Sequence, residues 1–262
     1  MSIHLAEAVQ RIIYPLRART LGAAIDEAKE LAPHVGLVSV NQGILITEGT
    51  PRVVDSLARA IEGTGAKLYL NTILHDTPEV MVEVAKFFAE HEAVFAWTVH
   101  ASNSAESLRM ANLYRGTAHV IGVVTLPHLE GPYGPRDRST LTDAACNMAI
   151  HVGSLDCYGL VCPSYPIETL HTEGLARMNQ ARKRKNTRPL RIIAADPRPR
   201  WSARPDQNNE GTSPEQAILD GAHYVIWDPR HTPNAETSVL HAAELLAAEI
   251  AAAVDQLPLP HI

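Results

Sequence analysis

Short runs rich in β-branched residues alternate along the chain with longer stretches whose apolar positions recur every three or four residues. Residues 11–16 (RIIYPL), 34–41 (HVGLVSVN) and 66–73 (AKLYLNTI) predict the first three strands. Residues 93–100 (AVFAWTVH), 119–126 (HVIGVVTL), 158–163 (YGLVCP), 191–196 (RIIAAD) and 223–228 (HYVIWD) predict five more. Helical patterns fall between them, over 21–32, 51–61, 78–90, 104–114, 140–152, 166–173, 214–220 and 237–254. Three of these helices open on a proline behind a hydroxyl residue, at Thr50-Pro51, Thr77-Pro78 and Ser213-Pro214. The missing proline N–H costs nothing in a first turn, and the hydroxyl predicts a cap.

Eight βα units at roughly thirty-residue spacing, enough for right-handed parallel crossovers, predict an α/β fold: a (β/α)8 TIM barrel filling residues 1–262 as one domain. The alternative is an open doubly wound sheet, which wants a Gly-rich first turn. The first strand instead runs into Pro15-Leu16-Arg17-Ala18-Arg19-Thr20, and no GxxxxGK[ST] occurs, so nicotinamide and P-loop readings fall away. The long loops predicted at 127–139 and 198–213 both follow strands and therefore belong on the active face of a barrel.

Composition narrows the class further. A 45% hydrophobic content and mean hydropathy of −0.09 suit a soluble globular core. The balance of 23 Lys and Arg against 29 Asp and Glu, a net charge of −6, argues against a sequence-independent nucleic-acid partner. The basic run Arg182-Lys183-Arg184-Lys185 precedes the seventh strand, which assigns it to the opposite, stability face. Three cysteines, Cys146, Cys157 and Cys162, with no CxxC spacing suit a reducing compartment. With no signal-peptide pattern in residues 1–16 and no run near ~20 apolar residues, the expected location is the cytoplasm, with no membrane partner.

Leu70-Asn71-Thr72-Ile73-Leu74-His75-Asp76-Thr77-Pro78 resembles the D-x-K-x-x-D motif, followed by a hydrophobic residue and Pro, of the orotidine 5'-phosphate decarboxylase family. Thr98-Val99-His100-Ala101 resembles that family's fourth-strand ending, Gly122-Val123-Val124-Thr125-Leu126 its fifth strand and Tyr158-Gly159-Leu160-Val161-Cys162 its sixth. Asp206-Gln207, Thr212-Ser213-Pro214-Glu215-Gln216-Ala217 and Gly221-Ala222-His223-Tyr224-Val225 resemble its phosphate loop and eighth strand, so the likeness runs in order over residues 11–254. The resemblance implies a barrel, lyase chemistry on a phosphorylated nucleoside or sugar, no cofactor, and a homodimer in which Asp76 and Thr77 reach the partner's ligand ribose.

The departures fall on the chemistry. Where the family alternates two lysines and two aspartates, this chain has Ser39, Asn71, Ile73 and Asp76, leaving one negative charge and no lysine proton donor. Arg17 stands where a first-strand aspartate would touch the ribose. Gln207 is kept in the phosphate loop, Asn209 takes the arginine place, and Asp228-Pro229 stands where Gly-Arg would close the site, with Arg230 one residue displaced.

The remaining candidates are polar residues at strand ends. His75 or His128 would be the general acid, with Asp76 and Asn71 beside them; Arg17, Ser39, Thr77, His100 and Thr125 would contact substrate; Gln207, Arg198 and Arg230 would hold phosphate. Arg200 and Arg204 extend this arginine-rich rim. The same histidines also fit structural roles at strand ends. No HxH or HExxH spacing joins His75, His100, His128 and Asp76 into a metal site, so no metal is expected. Three functions follow from these readings. The first is a diverged lyase of the family, the second a noncatalytic ligand-binding barrel, and the third decarboxylation of orotidine monophosphate by a rerouted mechanism.

Overall fold

The computed structural model describes residues 3–124, 138–163, 167–169, 171–172, 190–202, 212–230, 234 and 237–257. The strands are β1 (Ile12–Pro15), β2 (Leu37–Asn41), β3 (Lys67–Leu74), β4 (Val94–His100), β5 (His119–Val123), β6 (Gly159–Pro163), β7 (Arg191–Ala195) and β8 (Tyr224–Ile226). They pair in parallel and in chain order, and β8 returns to β1 to close the barrel. The helices are α1 (Ile3–Gln10), α2 (Leu21–Leu31), α3 (Gln42–Glu48), α4 (Thr50–Ala60), α5 (Pro78–Ala89), α6 (Ala105–Tyr114), α7 (Arg138–Ser154), α8 (Ile167–Thr169), α9 (Pro214–Leu219) and α10 (Val239–Val254). No described helix is long and apolar enough to cross a membrane.

Strand alternation separates two cores. Ile13, Leu37, Tyr69, Ala96, Ile121, Val123, Val161 and Ile193 fill the barrel interior. Their neighbours, among them Ile12, Val38, Leu68, Leu70, Trp97, Leu160 and Val225, pack outward against the helices. Each large side chain removed from water in these layers contributes roughly 1.5–3 kcal/mol. At the N-terminal end, His119 stacks on Tyr158 at 3.9 Å, Phe95 meets both rings edge-on, and the Tyr158 and Tyr224 hydroxyls lie 3.0 Å apart. That aromatic floor faces away from the strand ends where barrel chemistry sits.

Two helices lie outside the predicted pattern. α1 buries only Ala8, too little for a periodic apolar stripe to register. α3 spans seven residues, and its signal is local: the Asn41 side chain accepts the Ile44 N–H and donates to the Leu16 carbonyl. The expected Thr50 cap is also displaced. Gly49, at φ +84°, is the N-cap of α4, and Thr50 donates its hydroxyl to the Leu45 carbonyl. Ser213 caps α9 as expected by accepting the Gln216 N–H, while Thr77 occupies the N-cap of α5 without a capping side-chain bond. The eighth strand is shorter than its hydrophobic run, ending at Ile226 rather than 228.

Gly122 sets how closely β5 approaches α7, since a Cβ there would lie 2.7 Å from Val152 Cγ1. Val152 is fully buried and stiff at χ1. Gly122→Ala should therefore destabilise the fold by about 1–3 kcal/mol, and adding Val152→Ala should recover part of that loss, as read from urea unfolding midpoints.

Candidate active site at the barrel mouth

The inward alternation of β3 carries Tyr69, Asn71 and Ile73 toward the barrel interior, with Thr72 and Leu74 on an outer cavity beside α3, α4 and α5. The pairing of β3 with β4 is irregular here: Leu70 pairs with Trp97 and Leu74 with Val99, so four residues on one strand oppose two on the other. Ile73 takes up the excess in the left-handed region at φ +44°, a conformation that costs a β-branched residue about 1–2 kcal/mol.

Thr98 holds that bulge. Its hydroxyl, wholly buried, accepts the Ile73 N–H at 2.8 Å and donates to Asn71 Oδ1 at 3.2 Å, while Thr72 donates its own hydroxyl to the Thr98 carbonyl at 2.5 Å. Ser39, 4% exposed, lies on the neighbouring strand, and Ile73 packs against the inner apolar cluster. Thus Asn71 and Ile73, with Ser39 across on β2, lie on the inward faces of adjacent strands, and the Asn71–Thr98–Ile73 network carries no charge.

Above this layer lies the rim. His75, Asp76 and Thr77 follow the end of β3 and are exposed, and the His75 ring meets His100 edge-on at 5.8 Å. His100 Nδ1 accepts from the Ser102 backbone N–H at 3.2 Å and from its hydroxyl at 2.6 Å. This assigns the ring proton to Nε2 in the neutral form. Partial burial and then the nearby His75 lower the His100 pKa, which favours that neutral donor. Among the described residues no group of three or more His, Cys, Asp or Glu is placed to hold a metal.

Asn103 locks these strand ends together. It is 1% exposed, donates through Nδ2 to the Leu74 and His100 carbonyls at 2.8 Å each, and accepts the Asp76 N–H at 3.1 Å. Ser107 donates to the Asp76 carbonyl, His151 of α7 donates to the Asn103 carbonyl, and Asp76 Oδ1 accepts the Thr77 N–H. Sequence reasoning missed Asn103; the only local signal was the Ser-Asn-Ser turn directly after the fourth strand.

Two arginines of the expected rim, Arg200 and Arg230, are paired with carboxylates. Arg17 is exposed at the turn into α2, where the Glu27 carboxylate accepts its backbone N–H, the Ala18 N–H and the Tyr14 hydroxyl. No hydrogen bond or ion pair joins Arg17 to Ser39 or Asn71 among the described residues. Arg200 pairs with Glu215 at 3.1 Å. Arg230 folds back on Asp228, donating Nε at 2.6 Å with a second guanidinium contact, and its backbone N–H also reaches that carboxylate. Arg198 donates its backbone N–H to the Thr212 carbonyl, tying the strand β7 exit to the start of α9. Thr125, His128, Arg204 and Gln207 lie outside the described residues.

No protein-family model matches the chain. It is 28% identical over 225 residues to the orotidine 5'-phosphate decarboxylase of Anaeromyxobacter dehalogenans, covering 83% of this chain and 88% of that one. It is 26% identical over 222 residues to the enzyme of that name from Desulfosudis oleivorans, covering 82% and 83%. The fold is like that of the crystal structure of orotidine 5'-phosphate decarboxylase from Lactobacillus acidophilus, with TM-score 0.68 and 16% identity over 91% of this chain and 98% of that one. The chain therefore resembles this family in sequence across most of its length and carries the same barrel architecture.

Thr98→Val removes the acceptor of a buried N–H and the donor to Asn71 together. It should lower stability by about 1–3 kcal/mol in urea unfolding, whereas Thr98→Ser should keep most of it.

Proposed function

We propose that this protein is a diverged relative of the orotidine 5'-phosphate decarboxylases that takes a phosphorylated nucleoside or sugar at its barrel mouth and acts on it by lyase-type chemistry without a lysine proton donor. The observation that carries this reading is the layered mouth: a neutral Asn71–Thr98–Ile73 network below and an imidazole pair beside Asp76 above. The hydrocarbon side chain of Ile73 can neither donate nor accept a proton where the family has lysine, so proton transfer falls to the rim.

In this reading His75 exchanges the proton, imidazole being the side chain suited to that task near neutral pH, while His100 donates from Nε2 to the ligand. Asp76, held by Asn103, binds ribose hydroxyls. In the homodimer that the resemblance implies, Asp76 and Thr77 would serve the partner's ligand. Arg198, Arg230 and Gln207 bind the phosphate; Arg230 does so with its charge already shared with Asp228, which weakens a nonspecific hold on anions and leaves affinity to depend on geometry. The cytoplasmic setting expected from the cysteines accords with a nucleotide or sugar phosphate ligand.

A second reading, a noncatalytic binding barrel, draws on Ile73, whose packing against the inner apolar cluster seals the place where a proton donor would stand.

Calorimetric titration with ribose 5-phosphate and nucleoside 5'-monophosphates tests the proposal against their unphosphorylated counterparts. Phosphorylated ligands should bind at least about tenfold more tightly, and Asp76→Ala should weaken nucleotide binding by a similar factor. Equal binding of both sets, with Asp76→Ala without effect, contradicts it. Turnover of a bound ligand that is lost in His75→Gln selects the enzyme over the binding barrel.

A further inference from the structure

We infer that the ligand ring seated against Asn71 is uncharged and presents a carbonyl or ring-nitrogen acceptor to this residue, which makes Asn71 a specificity-determining residue. The inference rests on the nucleotide form of the proposed function and adds the chemistry of the ring. It follows from the direction of the hydrogen bonds around Thr98. The Ile73 N–H can only donate, so it occupies the Thr98 oxygen as acceptor; the Thr98 proton then goes to Asn71 Oδ1. The Asn71 carbonyl oxygen is thereby engaged within the protein, and its Nδ2, which makes no hydrogen bond among the described residues, is left to donate to a ligand.

The strand face below and beside that amide is equally specific. Ser39 stands on β2 opposite Tyr69, two residue pairs below the Asn41–Asn71 pairing, with its side chain on the inward face and a small remaining exposure. Its hydroxyl can donate or accept. Ile73 closes the other side with hydrocarbon, and Tyr69, inward and buried with its hydroxyl unpartnered among the described residues, forms the layer beneath. No lysine or arginine of the described strands shares this layer. A neutral ring acceptor finds a fixed donor here. A ring carboxylate would lose its water and meet no cation of the described strands, the costliest arrangement for an anion.

Uridine 5'-monophosphate and orotidine 5'-monophosphate separate the cases, because they share ribose and phosphate and differ only by the ring carboxylate. By calorimetric titration, the uridine nucleotide should bind at least about tenfold more tightly than the orotidine nucleotide, the size expected for an unpaired buried charge. Asn71→Ala should weaken the uridine nucleotide by roughly three- to tenfold while leaving ribose 5-phosphate affinity unchanged. Equal or tighter binding of orotidine 5'-monophosphate overturns the inference and leaves the proposed function standing. Binding of ribose 5-phosphate alone, with neither nucleotide, also overturns it and confines the ligand to sugar phosphates. Failure of all three to bind overturns both.

Discussion

The buried hydroxyl of Thr98 joins two strands at the point where their registers part, and the mouth of the barrel takes its chemistry from that junction. β3 carries two more residues than β4 between paired positions, and the excess is stored in Ile73 at positive φ. A β-branched residue persists there only where its surroundings determine it. The Thr98 oxygen supplies the determinant by accepting the Ile73 N–H, and the same group orients Asn71. The bulge and the uncharged polarity of this inner layer are therefore one arrangement.

The rim is built on the same economy of partners. Asn103 satisfies backbone groups of both β3 and β4 exits, and the Glu27 carboxylate does so for the β1 exit. Asp228 does it for the β8 exit while taking up the Arg230 guanidinium. Each of these exits is held by a polar side chain that accepts from or donates to main chain, and the Arg200 and Arg230 guanidiniums are paired with carboxylates. Under the proposed function, a ligand would meet hydrogen-bonded strand exits and the Arg200–Glu215 and Arg230–Asp228 ion pairs, so recognition would depend on fit more than on net field.

Much of this was legible in the sequence, and for identifiable reasons. Eight β-branched runs with amphipathic stretches between them specify the barrel because parallel strands buried on both faces need that alternation of elements. Period-two alternation along the third strand put His75 on the inward face, whereas the structure leaves it exposed beyond the strand end. The inward placement of Asn71 and Ile73 followed from the same alternation. The Thr98 and Asn103 roles did not, because they depend on which residues become neighbours across strands: Thr98 is 27 residues from Asn71, and Asn103 is 29 from Leu74. Arg17 and Arg230 were read as ligand-facing from position alone; the carboxylates beside them, Glu27 ten residues on and Asp228 two residues back, set their actual surroundings. The helix α3 escaped because a seven-residue element carries too little periodicity, although its Asn41 cap was visible as a residue type.

Asn71 carries an amide whose oxygen accepts from Thr98 and whose nitrogen makes no hydrogen bond among the described residues. The side-chain NH2 resonance of Asn71, assigned by its loss in Asn71→Asp, reports that polarity directly in a two-dimensional nitrogen–proton spectrum. Saturation with uridine 5'-monophosphate should shift this resonance and slow its exchange with water, as a new hydrogen bond from Nδ2 requires. A resonance unmoved by bound nucleotide would contradict a donor-presenting mouth.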